Sequence, residues 1–247
     1  MLKEIQEHRT IRKYTDKLIP KTVMDSILGA AIRASNTGNM QVYSIIVTTD
    51  SKIKDELAPA HFNQPMVKNA PAILTFCADF NRFNKWCSQR NAEPGYDNFL
   101  SFLTAAIDAI IAAQNACVEA EANGLGICYL GTAIYNADKI IDVLNLPKGV
   151  VPVTAVTIGY PDETPELTDR LPAEAVVHYE RYKDYTPEDI NKLYAEKESR
   201  QDSKQFIAEN NKETLAQVFT DVRYPKDNNE HFSKVLLSVL KKQGFLK

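Results

Sequence analysis

The chain has 247 residues, 44% hydrophobic and 25% charged, an ordinary globular composition with enough length to bury a sizeable core. Its formal net charge of -3 excludes a strongly basic nucleic-acid binder, so no nucleic acid is expected as a partner. The opening MLKEIQEHRTIRKY is too polar for a secretory signal. Cys77, Cys87, Cys117 and Cys128 lack metal-ligand or disulfide spacing, which predicts buried free thiols in a reducing cytoplasm and no metal.

In chain order, residues 21–34 follow Pro20 and carry Val23, Met24, Ile27, Leu28 and Ala31 at helical spacing. Residues 43–49 are compact and β-branched, a strand. Residues 51–57 predict a short helix capped by Asp50 or Ser51. After Pro71, residues 72–78 are nearly all apolar and predict a strand buried on both faces. Residues 98–123 predict a long apolar helix closing at Asn123-Gly124. Asp108 and Gln114 interrupt it, so it reads as a core helix, and no membrane span is expected. A strand over 127–130, a helix over 136–144 and a strand over 153–159 follow, a mixture that predicts an α+β or α/β sandwich. Beyond Pro187 comes a charged helix, then a polar stretch, 200–230, expected to be mobile or wrapped on a partner. Residues 231–245 predict an amphipathic helix. The stretch from Arg82 to Arg90, with Trp86, reads as a flexible rim.

Four short segments carry chemistry. In His8-Arg9-Thr10-Ile11-Arg12 two guanidinium groups flank a hydroxyl, a set suited to a phosphate, although taken alone the pentapeptide reads equally as a solvated basic patch. Ser35-Asn36-Thr37-Gly38-Asn39-Met40-Gln41 is a turn of short hydrogen-bonding side chains. Gly124-Leu125-Gly126-Ile127-Cys128-Tyr129-Leu130-Gly131 has glycines, but it precedes a strand and lacks dinucleotide-fingerprint spacing. Gly159-Tyr160-Pro161 and Arg170-Leu171-Pro172 complete the set.

The segments HRTIRKYTD, FCADFNR, GLGICYLG, LPKGVVPVTAVTIGYPDETPEL and RLPAEAVVHYERY, with KKQGF in the last helix, together resemble the nitroreductase-like FMN flavoproteins. Among these the resemblance is to the larger NADPH-preferring flavin reductases and oxygen-insensitive nitroreductases. It implies a nitroreductase-like α/β sandwich, α+β in class, with a central mixed sheet flanked by helices in an obligate homodimer. Residues 1–185 then form the FMN-binding domain and 186–247 its C-terminal helical extension. The resemblance places His8, Arg9, Thr10, Arg12 and Arg170 at the FMN phosphate. It places Ser35, Asn36 and Thr37 at the ribityl chain and ring edge, Gln64, Tyr129, Leu130 and Gly131 beside the isoalloxazine, and Gln41 among the other FMN-binding residues. Thr168 stands where relatives carry a lysine, Thr132 replaces a second glycine, and Arg200 is a candidate for the nicotinamide phosphate.

The activity so implied is ping-pong transfer of hydride from NADPH or NADH, through FMN, to a small-molecule acceptor such as a nitroaromatic, quinone or flavin. The flavin carries the chemistry, so no catalytic side chain is required. A specialised, dehalogenase-like flavin reductase and a non-catalytic FMN-binding module, the latter suggested by Thr168, are the alternatives. His8 reads as a positioning donor, Cys128 as packing, and Asp108 as facing a helix partner or a polar seam at the dimer interface. Tyr129 either stacks on the ring or fills the core.

Overall fold

In the computed structural model, which describes residues 1–247, four strands form one sheet in the order β1-β2-β4-β3. They are β1 (Tyr43–Thr48), β2 (Ala72–Asp79), β3 (Gly126–Leu130) and β4 (Val150–Gly159). All three ladders are antiparallel, which corrects the expected mixed sheet. The helical crossover between β2 and β3 does set those two strands parallel, but β4 inserts between them and pairs antiparallel with both. The one parallel pairing is an isolated bridge between Thr10 and Ile127.

The chain divides into two compact units, residues 1–166 with 232–247, and residues 167–231. The first unit holds the sheet between two apolar layers, with alternate strand residues turned to each. Leu74, Phe76, Val156 and Ile158 face α2 (Lys21–Ile32) and α6 (Phe99–Ala122). Ile73, Cys128, Leu130 and Ala155 face the opposite layer with Leu57 and Ile140, from α3 (Ser51–Leu57) and α7 (Ala137–Val143). Every residue of β2 is buried. The buried face of α6 is largely alanine (Ala105, Ala109, Ala112, Ala113, Ala116), so the helix can lie close to the sheet. Just over half of its most apolar stretch is buried, as in a core helix. The remainder of α6 exposes Leu100, Leu103, Ile107, Ile110 and Ile111.

Most predicted elements stand. Asp50 caps α3, accepting from Lys52 N and Ile53 N, and Gly124 closes α6 with φ 75°. Three further expectations change. β4 starts at Val150, three residues early, because Pro152 sits beside a register shift between Phe76 and Cys77, where a missing N–H is tolerated. The stretch with Trp86 is the helix α5 (Asn81–Ser88), with Trp86 packed on Phe83 at 5.4 Å. The polar span 200–230 is also helical: after α8 (Pro187–Ser199) come α9 (Gln201–Glu209) and α10 (Leu215–Gln217), which runs into a π-turn, Val218–Arg223. It is held by the Thr214–Gln217 capping box, buried Leu215 and Val218, Lys212–Asp221 (2.9 Å) and Arg223 over Phe206 (4.9 Å). The last helix is α11 (Lys226–Gln243); α1 (Lys3–Gln6) and α4 (Pro65–Asn69) complete the set.

Candidate functional site

The basic N-terminal segment lies against the first residues of β3. Ile11 N donates to Ile127 O (2.9 Å), and Tyr14 bridges Pro161. The Tyr14 hydroxyl donates to Ile11 O (2.7 Å) and lies 2.8 Å from Thr157 Oγ1; burial raises its pKa above the phenol range. Two glycines paired across the β3–β4 ladder make this approach possible. A Cβ on Gly126 would stand 2.5 Å from Ile11, and one on Gly159 would stand 2.5 Å from Pro71 and 2.9 Å from Tyr14. Beyond them, Glu163 Oε1 accepts from Arg12 N (2.6 Å) and Lys13 N (3.0 Å), and these bonds, Arg12's first, lower its pKa. The Arg12 backbone is thereby fixed, while its exposed guanidinium makes no hydrogen bond or ion pair.

The other members of the segment differ in what they leave available. Thr10 keeps its hydroxyl unengaged. His8 Nδ1 lies 2.6 Å from Glu121 Oε1, and burial raises the pKa of that acid. Arg9 donates to Glu7 O (3.0 Å) and lines a cleft of about 380 Å³ with Lys3, Glu4, Glu7, Glu121 and Glu163. Its buried Nε has no partner.

The turn at 35–41 is organised by Asp108, which is 2% exposed in the middle of α6. Thr37 N donates to both carboxylate oxygens (3.0 and 3.1 Å) and Thr37 Oγ1 to one (3.1 Å). Burial pushes the Asp108 pKa up, and the Thr37 donors pull it back. Asn36 Oδ1 accepts from Gln41 N (3.0 Å), and Gln41 takes φ 53° while its carbonyl accepts from Arg82. Ser35 is exposed, its hydroxyl unengaged.

At the far end of β3 two turns meet. Gln64 Nε2 donates to His61 O (3.1 Å), Asn136 Nδ2 donates to Ala60 O (2.9 Å), and His61 Nδ1 lies 2.7 Å from Thr132 Oγ1. His61 is fully buried and its Nε2 has no partner; burial lowers its pKa to about 4, so the ring is neutral. Leu130 is buried and Tyr129 is 36% exposed, its hydroxyl donating to Gln114 Oε1 (3.3 Å). Gly131 is exposed and its φ is not positive, and a Cβ there would meet nothing within 4 Å. The chain's own fold therefore gives no reason for glycine at this position. In the second unit, the Arg170 guanidinium folds back on its own loop, donating to Thr168 Oγ1 (2.6 Å) and Asp169 O (2.9 Å).

The structure thus brings Gln64 and Gly131 together, with His61 and Thr132, at one end of β3, and gathers His8, Arg9, Thr10 and Arg12 at the other. Tyr129 and Leu130, the last residues of β3, lie between them. Sequence reasoning missed Glu163 and His61, and left Asp108 without its partner Thr37. Each acts across 71 to 151 residues, a separation that no local spacing records. No group of three or more metal-ligating side chains converges.

Comparisons with known proteins agree on one relationship. The model of the nitroreductase family matches residues 5–160. The FMN reductase (NADPH) of Bacillus subtilis strain 168 is 35% identical over 183 residues, covering 73% of this chain and 74% of the relative. The oxygen-insensitive NADPH nitroreductase of Salmonella typhimurium is 37% identical over 175 residues, 71% of each. Among solved structures, a Bacteroides fragilis NCTC 9343 protein described as an oxidoreductase superposes with a TM-score of 0.98. It is 56% identical, with 100% of both chains covered.

Proposed function

Because the chain belongs to the nitroreductase family, we propose that it is an FMN-dependent oxidoreductase that passes hydride from NADPH or NADH to a nitroaromatic, quinone or flavin. The observation that best supports FMN at this end of β3 is Gly131, a glycine with no conformational or steric need inside the chain, which faces open space in the turn joined through His61 to Gln64. Four residues back along the strand, about 13 Å at ordinary strand rise, the segment with Arg12 and Thr10 packs on Ile127.

The residues fit the group at both ends. Arg12 and Thr10 hold donors that no protein acceptor uses, and a charge-assisted contact from a guanidinium suits a phosphate dianion. Glu163 holds the Arg12 main chain while the side chain stays free to bind. Asp108 fixes the 35–37 turn, so that the Ser35 hydroxyl is presented from a rigid support. Gln64 is oriented through its bond to His61 O, and the absence of a Cβ at Gly131 lets a flat ring approach the main chain. When bound, FMN supplies the ring that accepts and then donates hydride. His61 stays neutral at physiological pH and acts as a support, not a proton carrier.

The same reading includes a homodimer in the cytoplasm. An apolar row of Leu100, Leu103, Ile107, Ile110 and Ile111 on α6 suits a second copy of the chain, and the four free, buried cysteines suit a reducing compartment. Sedimentation as a monomer at micromolar concentration would remove the dimer. The activity is tested by steady-state NADPH and NADH oxidation with menadione and nitrofurazone at several fixed acceptor concentrations. Parallel double-reciprocal lines are expected; no turnover with any acceptor would sink the proposal.

A further inference from the structure

Eight non-glycine residues have positive φ, and five are asparagines, the residue type that tolerates this conformation. Phe62, with φ 55°, is the one hydrophobic residue among them. Steric crowding of Cβ makes a bulky residue there an outlier, and such strain persists where surroundings impose it, often at binding sites. Burial in the core does not explain Phe62, which is 50% exposed.

What surrounds the ring is specific. Phe62 meets Phe232 edge-on at 5.7 Å and Tyr135 edge-on at 6.4 Å. Tyr135 and Phe232 stack on each other at 4.8 Å, nearly parallel at 11°. The rings come from three places: the turn before α4, the end of the Gly131–Ile134 turn, and α11. The first two are joined by the His61–Thr132 and Asn136–Ala60 bonds, with Gln64 two residues after Phe62. An aromatic cluster, one of its rings half exposed, therefore stands in the turns that carry Gln64 and the open Gly131.

We propose that Phe62, backed by Tyr135 and Phe232, is the wall against which a planar aromatic electron acceptor packs, and so a residue that sets acceptor specificity. This rests on the reading that FMN binds beside Gly131. A fused-ring quinone or nitroaromatic entering over the flavin gains ring-to-ring contact there, whereas a small inorganic oxidant gains none. The positive φ at Phe62 ends the Ala58–His61 turn, where Phe62 N donates to Pro59 O (3.3 Å) and Asn63 N to Ala58 O (2.8 Å), and it leaves the ring half exposed beside Tyr135 and Phe232.

The test uses the full-length, FMN-loaded protein and 2-naphthoate, a planar probe that cannot be reduced, in calorimetric titrations of wild type, Phe62→Gly and Phe62→Tyr. Glycine suits the left-handed backbone, so Phe62→Gly is expected to fold with an unreduced Tm. Its Kd for the probe should rise about five- to ten-fold, while Phe62→Tyr stays close to wild type. The KM for menadione should rise with it, and by more than the KM for NADPH. A probe Kd unchanged in Phe62→Gly, or lost equally in Phe62→Tyr, overturns the proposal and leaves the flavin reading standing. A rise confined to the KM for NADPH also overturns it. Wild-type protein that takes up no FMN overturns both.

Discussion

His61 gives this fold a built-in dependence on pH. The ring is fully buried, with Nδ1 against Thr132 and Nε2 unpartnered, and burial lowers its pKa from 6.5 to about 4. As pH falls the unfolded chain binds the proton first, so the stability contributed by neutral His61 is complete above pH 6.5. It drains away between pH 6.5 and about 4. At about 1.4 kcal/mol per pH unit, the loss across that window is about 3 kcal/mol. The assay is urea unfolding at half-unit pH steps, comparing wild type with His61→Gln, which can still bond Thr132 but cannot titrate. Other groups titrate in both proteins, including the buried acids Asp108 and Glu121, whose raised pKa values act in the opposite direction. The difference between the two curves isolates His61. It should narrow by about 3 kcal/mol on acidification. Parallel curves would refute the argument.

Other perturbations separate support from binding. Asp108→Ala strips the acceptor from Thr37 N and Oγ1 and should lower stability by about 2–3 kcal/mol and weaken FMN binding, read by Tm and by flavin titration. Gly126→Ala drives a Cβ to 2.5 Å from Ile11 and should cost about 1–3 kcal/mol in urea unfolding even without FMN. Gly131→Ala, with nothing within 4 Å, should leave the Tm of FMN-free protein within about a degree while weakening FMN binding at least several-fold. A large fall in Tm would show that Gly131 serves the fold after all. Arg12→Ala should weaken FMN affinity by about 2 kcal/mol, and an unchanged titration would remove Arg12 from the phosphate site.

Legibility followed the range of the interaction. β2 and α6 could be read from uninterrupted apolar runs, and the α3 cap from Asp50, because their causes lie within a few residues. The helices in 200–230 were missed because the span has few core residues, although Thr214-Leu215-Ala216-Gln217 carries a capping-box pattern that points to one. The early start of β4 was hidden by Pro152, whose place at an irregularity depends on a partner strand far away. Within the candidate site, the basic segment and the glycines at 124–131 were visible as motifs. Their supports were not: Glu163 under Arg12, Asp108 under Thr37 and His61 against Thr132 exist only once the chain is folded.

The central claim is that this chain binds FMN and moves hydride through it. It is tested most directly by anaerobic titration of the FMN-loaded protein with NADPH and, in parallel, NADH, followed by a quinone. One equivalent of donor should bleach the visible flavin absorbance fully, and the quinone should restore it without oxygen. Flavin that stays oxidised under excess of both donors, or protein that retains no FMN, would contradict the account.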